Sequence, residues 1–337
     1  MVDGLQDNLM KKIIIFNFII FFLLILGGEL VLRIFKLSQL MGIDSNIISF
    51  KDGSHHLVPN SNGYIFSKKV FIDEKGNRVP KFNVILNNKK NIIMIGDSVT
   101  FGNGVKEEDT FVGLLREKYK NYNFLNTAVP GYDLLHLEKN LMKISNYKNV
   151  EKIFYFLTLN DVLRSQTIVS WHNRNEEKFD QELGFLQRII QNKYLRNINY
   201  YLRNKSYIFM YLKGLLTDPS KRWYTNIKIF YTENEIDHLS IYLRKLIAIS
   251  KQKNSKLYLI ILPYEFQTRN CTTETKLTPQ VKIKEQLYKL NINYFDFYKD
   301  FCNYENPKSL FYKFDPMHLS IKGHKTVFEL TDHEINF

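Results

Sequence analysis

Short apolar runs alternate with amphipathic stretches along most of this chain. In NIIMIGDSVTFGNG (Asn91 to Gly104) the run Ile92–Ile95 is continuous and stops at Gly96-Asp97-Ser98, which reads as a strand buried on both faces and followed by a helix. Thr110–Lys120 then carries apolar residues at helical spacing. Tyr122–Leu125 reads as a second strand, Leu134–Ile144 as a helix and Ile153–Leu159 as a third strand. The rhythm breaks after Leu163 and returns with an amphipathic helix over Ile236–Ser250, with Ile236, Leu239, Leu243, Leu246 and Ile247 on one face. A strand at Leu257–Leu262, a helix at Pro279–Leu290, a strand at Ile292–Phe297 and a last helix from Ser320 to Leu330 complete it. Strands alternating with helices predict βαβ units, hence an α/β domain with a central parallel sheet over 91–332.

Three segments depart from this rhythm. Ile13–Phe35 is apolar almost throughout and as a helix would be about 35 Å long, enough to cross a bilayer. Glu29 and Arg33, four apart near its end, can pair and reach toward the headgroups. No small-residue cleavage site follows, so the segment reads as a retained anchor after a short tail, 1–12. Lys11 and Lys12 before it nearly balance Arg33 and Lys36 after it. The short tail favours N-in, which places the rest outside the cytosol, as a single-pass membrane protein with an extracytoplasmic domain. Residues 36–90 are turn-rich and read as a linker with edge hairpins around Tyr64–Phe66 and Lys69–Ile72, with His55-His56 in a solvated loop. An aromatic, basic insertion spans about 165–235, helix-like over Phe185–Leu216; it is read as packing over the sheet, with a lid or membrane-lying role as the other reading.

Composition narrows the function. The chain has 337 residues with 47 Lys and Arg against 34 Asp and Glu, a net charge of +13. These cations are dispersed and no nucleic-acid-binding motif accompanies them, so they suit an anionic membrane or acidic polymer better than nucleic acid. Cys271 and Cys302 have no C-x-x-C spacing, and the histidines show no H-E-x-x-H pattern. No metal and no cofactor are expected.

The chemistry centres on Ser98. A serine at the end of a buried strand, in a glycine-flanked turn, sits where an α/β enzyme exposes a nucleophile, but a hydroxyl needs a base. His318 follows Asp315 in D-P-M-H, just before the last helix. There Pro316 is expected to bend the chain so that Asp315 holds one ring nitrogen and Ser98 meets the other. His238, inside a predicted helix, and His333, in the terminal tail, are the weaker candidates. An acyl-transfer site also needs oxyanion donors, for which the Ser98 amide, the Gly131 amide and the Asn160 side chain are the candidates. Asp97 and Asp161 read as structural groups holding loop amides.

G-D-S-V-T-F-G at Gly96–Gly102, the glycine of N-T-A-V-P-G-Y-D, the Asn160-Asp161 pair and D-P-M-H together resemble the four blocks of the SGNH, or GDSL-type, hydrolases, in that family's order. Thr158 stands where the family's third block has glycine, which implies a less tight turn. The resemblance implies a flavodoxin-like three-layer α/β/α fold, a Ser98–His318–Asp315 triad and an oxyanion site of Ser98, Gly131 and Asn160. It also implies action on acyl groups, commonly acetyl groups of envelope or surface carbohydrate. Transfer to water makes an esterase. Transfer to a sugar hydroxyl makes an O-acyltransferase, with a membrane-bound acyl donor as partner. A non-catalytic carbohydrate-binding protein on the same fold is the competing class. If the strands before Cys271 and Cys302 are neighbours, the two thiols share a rim, either as a disulfide or as free thiols.

Overall fold

The structure, a computed structural model, describes residues 2–35, 37–51, 54–81, 89–162, 195–228, 231, 233–271, 277–313 and 315–335. Helix α1 runs over Val2–Ile34, beginning well before Ile13 because no proline interrupts the polar residues ahead of the apolar run. Within it Met10–Ile34 is long and apolar enough to cross a membrane, with a mean hydropathy of 2.5 and most of its side chains exposed. Glu29 and Arg33 pair at 3.2 Å as expected. The Glu29 carboxylate, however, is turned to the protein, where it accepts N–H bonds from Tyr207 and Ile208 at 2.9 and 3.0 Å.

Residues 36–90 contribute more than a linker. Strands β1 (Ile48–Lys51) and β2 (Ser54–Leu57) pair as a hairpin. Strands β3 (Asn62–Ile65), β4 (Lys68–Ile72) and β5 (Arg78–Val79) form an antiparallel edge that continues the main sheet. The expectation of a solvated His55-His56 loop is corrected. Both lie in β2, whose alternation turns His56 outward and buries His55 completely against the Tyr132 and His136 rings.

The apolar runs form parallel strands β6 (Lys90–Ile95), β7 (Tyr122–Asn126), β8 (Val150–Leu157), β9 (Lys256–Ile261) and β10 (Asn293–Asp296). The eight-stranded order is β10-β9-β8-β6-β7-β5-β4-β3. Its parallel part, read in chain order, is the 2-1-3-4-5 arrangement of flavodoxin-like sheets, with its switch point between β6 and β8. Besides two short helices at Glu265–Thr268 and Tyr298–Asn303, the helices of the described residues are α2 (Ser98–Phe101), α3 (Phe111–Lys118), α4 (Leu134–Ser145), α5 (Arg196–Lys205), α6 (Tyr207–Leu216), α7 (Pro219–Lys228), α8 (Glu233–Gln252), α9 (Thr278–Lys289) and α10 (Ile321–Glu334).

Alternation along the strands feeds two cores. Ile93, Ile95, Ile153, Tyr155 and Leu259 pack with Leu137 and Leu141 of α4, Leu239 and Leu243 of α8 and Leu287 of α9. On the other face Ile92, Met94, Phe154, Phe156 and Ile260 meet Phe111 and Leu115 of α3 and Val327 of α10. The result is a three-layer α/β/α fold. His333 lies in the last turn of α10, not in a tail, because the helical spacing continues to Glu334. Of the aromatic insertion, α5 and α6 are helical as the spacing predicts, while residues 165–194 lie outside the described residues. Cys271 and Cys302 form a disulfide behind the ends of β9 and β10.

Candidate active site

Strand β6 ends at Ile95 and the chain turns at Gly96, where a Cβ would come within 2.1 Å of Thr100 Oγ1. Glycine is therefore required for the close approach of strand and helix. Asp97 caps α2 by accepting the Val99 N–H at 2.9 Å, which places Ser98 in the first turn with its own N–H outside the helical ladder. The loop after α2 is held from beneath by Arg78, fully buried in β5. Its guanidinium donates to the carbonyls of Phe101, Gly102 and Val105 at 2.5–2.7 Å. Nothing in F-I-D-E-K-G-N-R-V-P marks Arg78 as buried. Its role became legible only when β5 paired with β7 at Arg78 and Asn126. Arg78→Met is expected to lower unfolding stability by about 3 kcal/mol or more, because three buried carbonyls lose charged donors. Urea denaturation followed by circular dichroism measures it; a loss under about 1 kcal/mol would contradict the inferred role.

The D-P-M-H segment is not the turn expected from Pro316. Asp315–Leu319 forms strand β12, paired with β11 (Phe311–Tyr312). Residues three apart in a regular strand face opposite ways, so this pairing alone would separate Asp315 from His318. The register shifts between Phe311 and Tyr312, pairing them with Leu319 and Asp315, so residues 316–318 stand opposite one step of the partner. That irregularity brings the carboxylate and the ring together. Proline suits it because its fixed φ is compatible with extended backbone and this short ladder needs no donor there.

The three side chains form a chain of hydrogen bonds. His318 Nδ1 donates to Asp315 Oδ2 at 2.6 Å, and His318 Nε2 lies 2.8 Å from Ser98 Oγ. All three residues are buried, and Phe66 packs edge-on against the imidazole with centroids 5.2 Å apart. Burial alone would push the His318 pKa down, but the Asp315 carboxylate overrides it and the net direction is up.

Asn160 lies on the turn that follows β8, across the switch point from Ser98. Its Oδ1 accepts from the Tyr264 hydroxyl at 2.6 Å, and its Nδ2 donates to Asp97 Oδ2 at 2.8 Å. These contacts orient the amide and tie it to the residue beside Ser98, leaving the second Nδ2 hydrogen for a ligand. Thr158, in the place of the family's glycine, closes the turn itself. Its N–H donates to Asp161 Oδ2 at 3.1 Å, and its hydroxyl lies 3.0 Å from carboxylate oxygen Asp161 Oδ1. Asp161 thus holds a loop amide, and burial raises its pKa well above the carboxylate range.

Gly131 adopts φ 77°, which favours glycine, and its loop is tied to the Gly96–Ser98 turn by the Val129 N–H to the Gly96 carbonyl at 3.4 Å. The Pro130 carbonyl, in the same peptide unit as the Gly131 N–H, accepts the His55 Nε2–H at 2.7 Å. Burial depresses the His55 pKa to about 4, so the ring is neutral at pH 7. His55, Phe66, Arg78 and Tyr264 are the supporting residues that sequence reading missed. The alternation of H-H-L was the one signal, and it points only to His55.

Ser98 and Asn160 therefore stand at the ends of β6 and β8, at the crevice where open α/β sheets bind ligands. Neither a protein-family model nor a curated protein matches the chain. Solved structures similar to the chain include lipolytic and ester-cleaving proteins. One, a lipolytic protein of the G-D-S-L family from Veillonella parvula, is 14% identical and is matched over 73% of this chain and 98% of its own, with a TM-score of 0.41. A lipase/acylhydrolase from Enterococcus faecalis is 17% identical over 73% and 95%, with a TM-score of 0.41. An acetylxylan esterase from Geobacillus stearothermophilus is 14% identical over 74% and 94%, with a TM-score of 0.42. At this level of likeness, what the site does has to be argued from its own side chains.

Proposed function

We propose that this protein is an SGNH-type serine enzyme that moves acyl groups through an acyl-serine intermediate. The observation that carries the reading is the Ser98–His318–Asp315 hydrogen-bond chain at 2.8 and 2.6 Å. As Ser98 Oγ attacks the ester carbonyl, its proton passes to His318 Nε2, and Asp315 stabilises the imidazolium. The tetrahedral oxyanion is held by the N–H groups of Ser98 and Gly131 and the free Nδ2 hydrogen of Asn160. Collapse expels the alcohol, which takes the proton from His318 and leaves acyl-Ser98. A second hydroxyl then gives its proton to His318, attacks the acyl carbon and releases the serine. Water as acceptor gives ester hydrolysis; a sugar hydroxyl gives transfer.

The substrate class we assign is an acetyl ester of an envelope or surface carbohydrate. The exposed apolar stretch of α1 supports a membrane anchor, and the Cys271–Cys302 disulfide supports an oxidising, extracytoplasmic setting. Exposed Leu212, Leu215 and Leu216 on α6, which docks on α1, suit the same bilayer surface.

Incubation with acetylated glycan, quenching and peptide mass spectrometry should show one acetyl group on the peptide carrying Ser98. Acetyl release with the label on another residue would overturn the assignment. Asn160→Ala is expected to lower kcat by about 10²–10³-fold with little change in KM, since its free N–H acts on the developing oxyanion. A rise in KM at unchanged kcat, read from steady-state acetate release, would remove Asn160 from that role.

A further inference from the structure

Three cations converge on one cavity beside Asp315. Arg203 at the end of α5, Lys213 in α6 and Arg222 in α7 line it together with Met41 and Trp223. All three are half-buried, and none forms a salt bridge among the described residues. Their contacts are with neutral groups. Arg203 Nη2 lies 3.3 Å from the Met41 sulfur, Lys213 Nζ lies 3.4 Å from Asn199 Oδ1, and the Arg222 guanidinium sits 5.7 Å from the Trp223 ring centroid. The one carboxylate on the wall, Asp315, is already bonded to His318.

Among the described residues the only carboxylate facing these half-buried like charges is Asp315, which acts on Arg203, so the cluster keeps an excess of positive charge that an anion in the shared space would stabilise. Burial first, then repulsion from Arg203 and Arg222, holds Lys213 down at about 7. The same helices are fastened to the end of α1 through the Glu29 carboxylate and through Arg33, which donates to the Lys205 carbonyl at 3.3 Å. The cavity therefore lies between the triad and the exit of the apolar helix.

We propose that this cavity is an anion subsite, holding a phosphate or carboxylate of an acidic acyl ester while its ester carbonyl lies at Ser98. The inference rests on Ser98 as the nucleophile. Arg203 and Arg222 supply planar, bidentate forks and Lys213 a point charge, a set suited to either oxyanion. The anion reaches the cavity either on a water-soluble glycan or on a lipid headgroup at the membrane surface.

The test uses the full chain in uncharged detergent. Acetate release is compared for an O-acetylated hexuronate oligosaccharide and its methyl-esterified, uncharged counterpart. The wild-type protein should favour the charged substrate, and the preference should shrink as ionic strength rises. Arg222→Gln and Lys213→Gln should each lower the charged-to-uncharged ratio of kcat/KM at least tenfold, while Arg222→Lys keeps most of it. No preference in the wild type, or an unchanged ratio in both glutamine variants, overturns the inference. Calorimetric titration with inorganic phosphate separates this from the nucleophile reading. Should Ser98→Ala retain activity, the nucleophile reading falls, yet loss of phosphate binding in Arg222→Gln still supports the subsite. Should Ser98→Ala be inactive while Arg222→Gln binds phosphate like the wild type, the subsite falls alone. Suppression of hexuronate turnover by phosphatidylglycerol bilayers, but not phosphatidylcholine bilayers, assigns the anion to a headgroup; equal rates in both assign it to a soluble substrate.

Discussion

Ser98→Ala is expected to lower kcat for acetyl-ester cleavage by about 10⁵–10⁶-fold, the scale on which a triad fails when its nucleophile is removed. The substitution deletes one oxygen whose contacts are His318 Nε2 at 2.8 Å and Asp97 Oδ2 at 3.4 Å. Backbone geometry is set elsewhere, by Asp97 capping α2 and by Arg78 on the following carbonyls, so the fold should persist. What remains is the oxyanion site and a histidine able to activate water, worth about 10³–10⁴ over the uncatalysed reaction. The double variant Ser98→Ala/His318→Ala should be scarcely slower than either single one, because the groups act as a unit. Single-turnover assays with an acetyl-ester dye measure this. Full activity in Ser98→Ala, with circular dichroism unchanged, would sink the proposed mechanism.

The second large effect is on the acid limb. To take the serine proton His318 must be neutral, so kcat/KM falls as pH drops through its pKa. Burial presses that pKa down, Asp315 more than restores it, and the net lies above the ordinary value of 6.5. The inflection is therefore expected above pH 6.5. Asp315→Asn removes the carboxylate and leaves burial, the largest influence, and the Arg203 charge to lower the pKa against the smaller upward pull of Asp97. The inflection should move below 6.5 while the plateau falls by about 10⁴-fold, as the imidazolium loses its partner and the ring its tautomer. Stability follows the same sign. A raised histidine pKa contributes stability fully below the unfolded value and loses it as pH rises through the folded one. Asp315→Asn should thus cost more stability at about pH 6 than at about pH 9. A wild-type inflection at or below 6.5, or one that Asp315→Asn leaves in place, would contradict the proposed roles.

Much of this protein is written locally in its residues. Buried strands announce themselves as continuous apolar runs, so Ile92–Ile95 and Ile153–Leu157 were legible, and with them the parallel sheet and the carboxyl-end turns. Ser98, Asp315 and His318 were legible because each lies in a short motif beside a strand or helix boundary. The meeting of Ser98 with His318 at 2.8 Å belongs to the folded chain, since the two lie far apart in sequence, while Asp315 and His318, three residues apart, meet at 2.6 Å through the register shift of β12.

The rest depended on contacts that periodicity cannot encode. The D-P-M-H segment was expected as a turn because Pro316 permits one; pairing with Phe311–Tyr312 made it a strand with a register shift. His55 looked solvated until β2 pairing chose which of two adjacent histidines faces inward. Arg78 and Tyr264 carry no local signal at all, because their partners lie on other elements. The cationic cavity arises in the same way. Arg203, Lys213 and Arg222 read as ordinary surface charges along the chain, and only the packing of α5, α6 and α7 turns them toward one space.

Local patterning thus determined the strands, the helices and the candidate site residues Ser98, Asp315 and His318, because those depend on near neighbours. Tertiary packing alone decided which charges were buried, which ring faced inward and how the supporting shell closed around Ser98, because burial is a property of distant surfaces brought together.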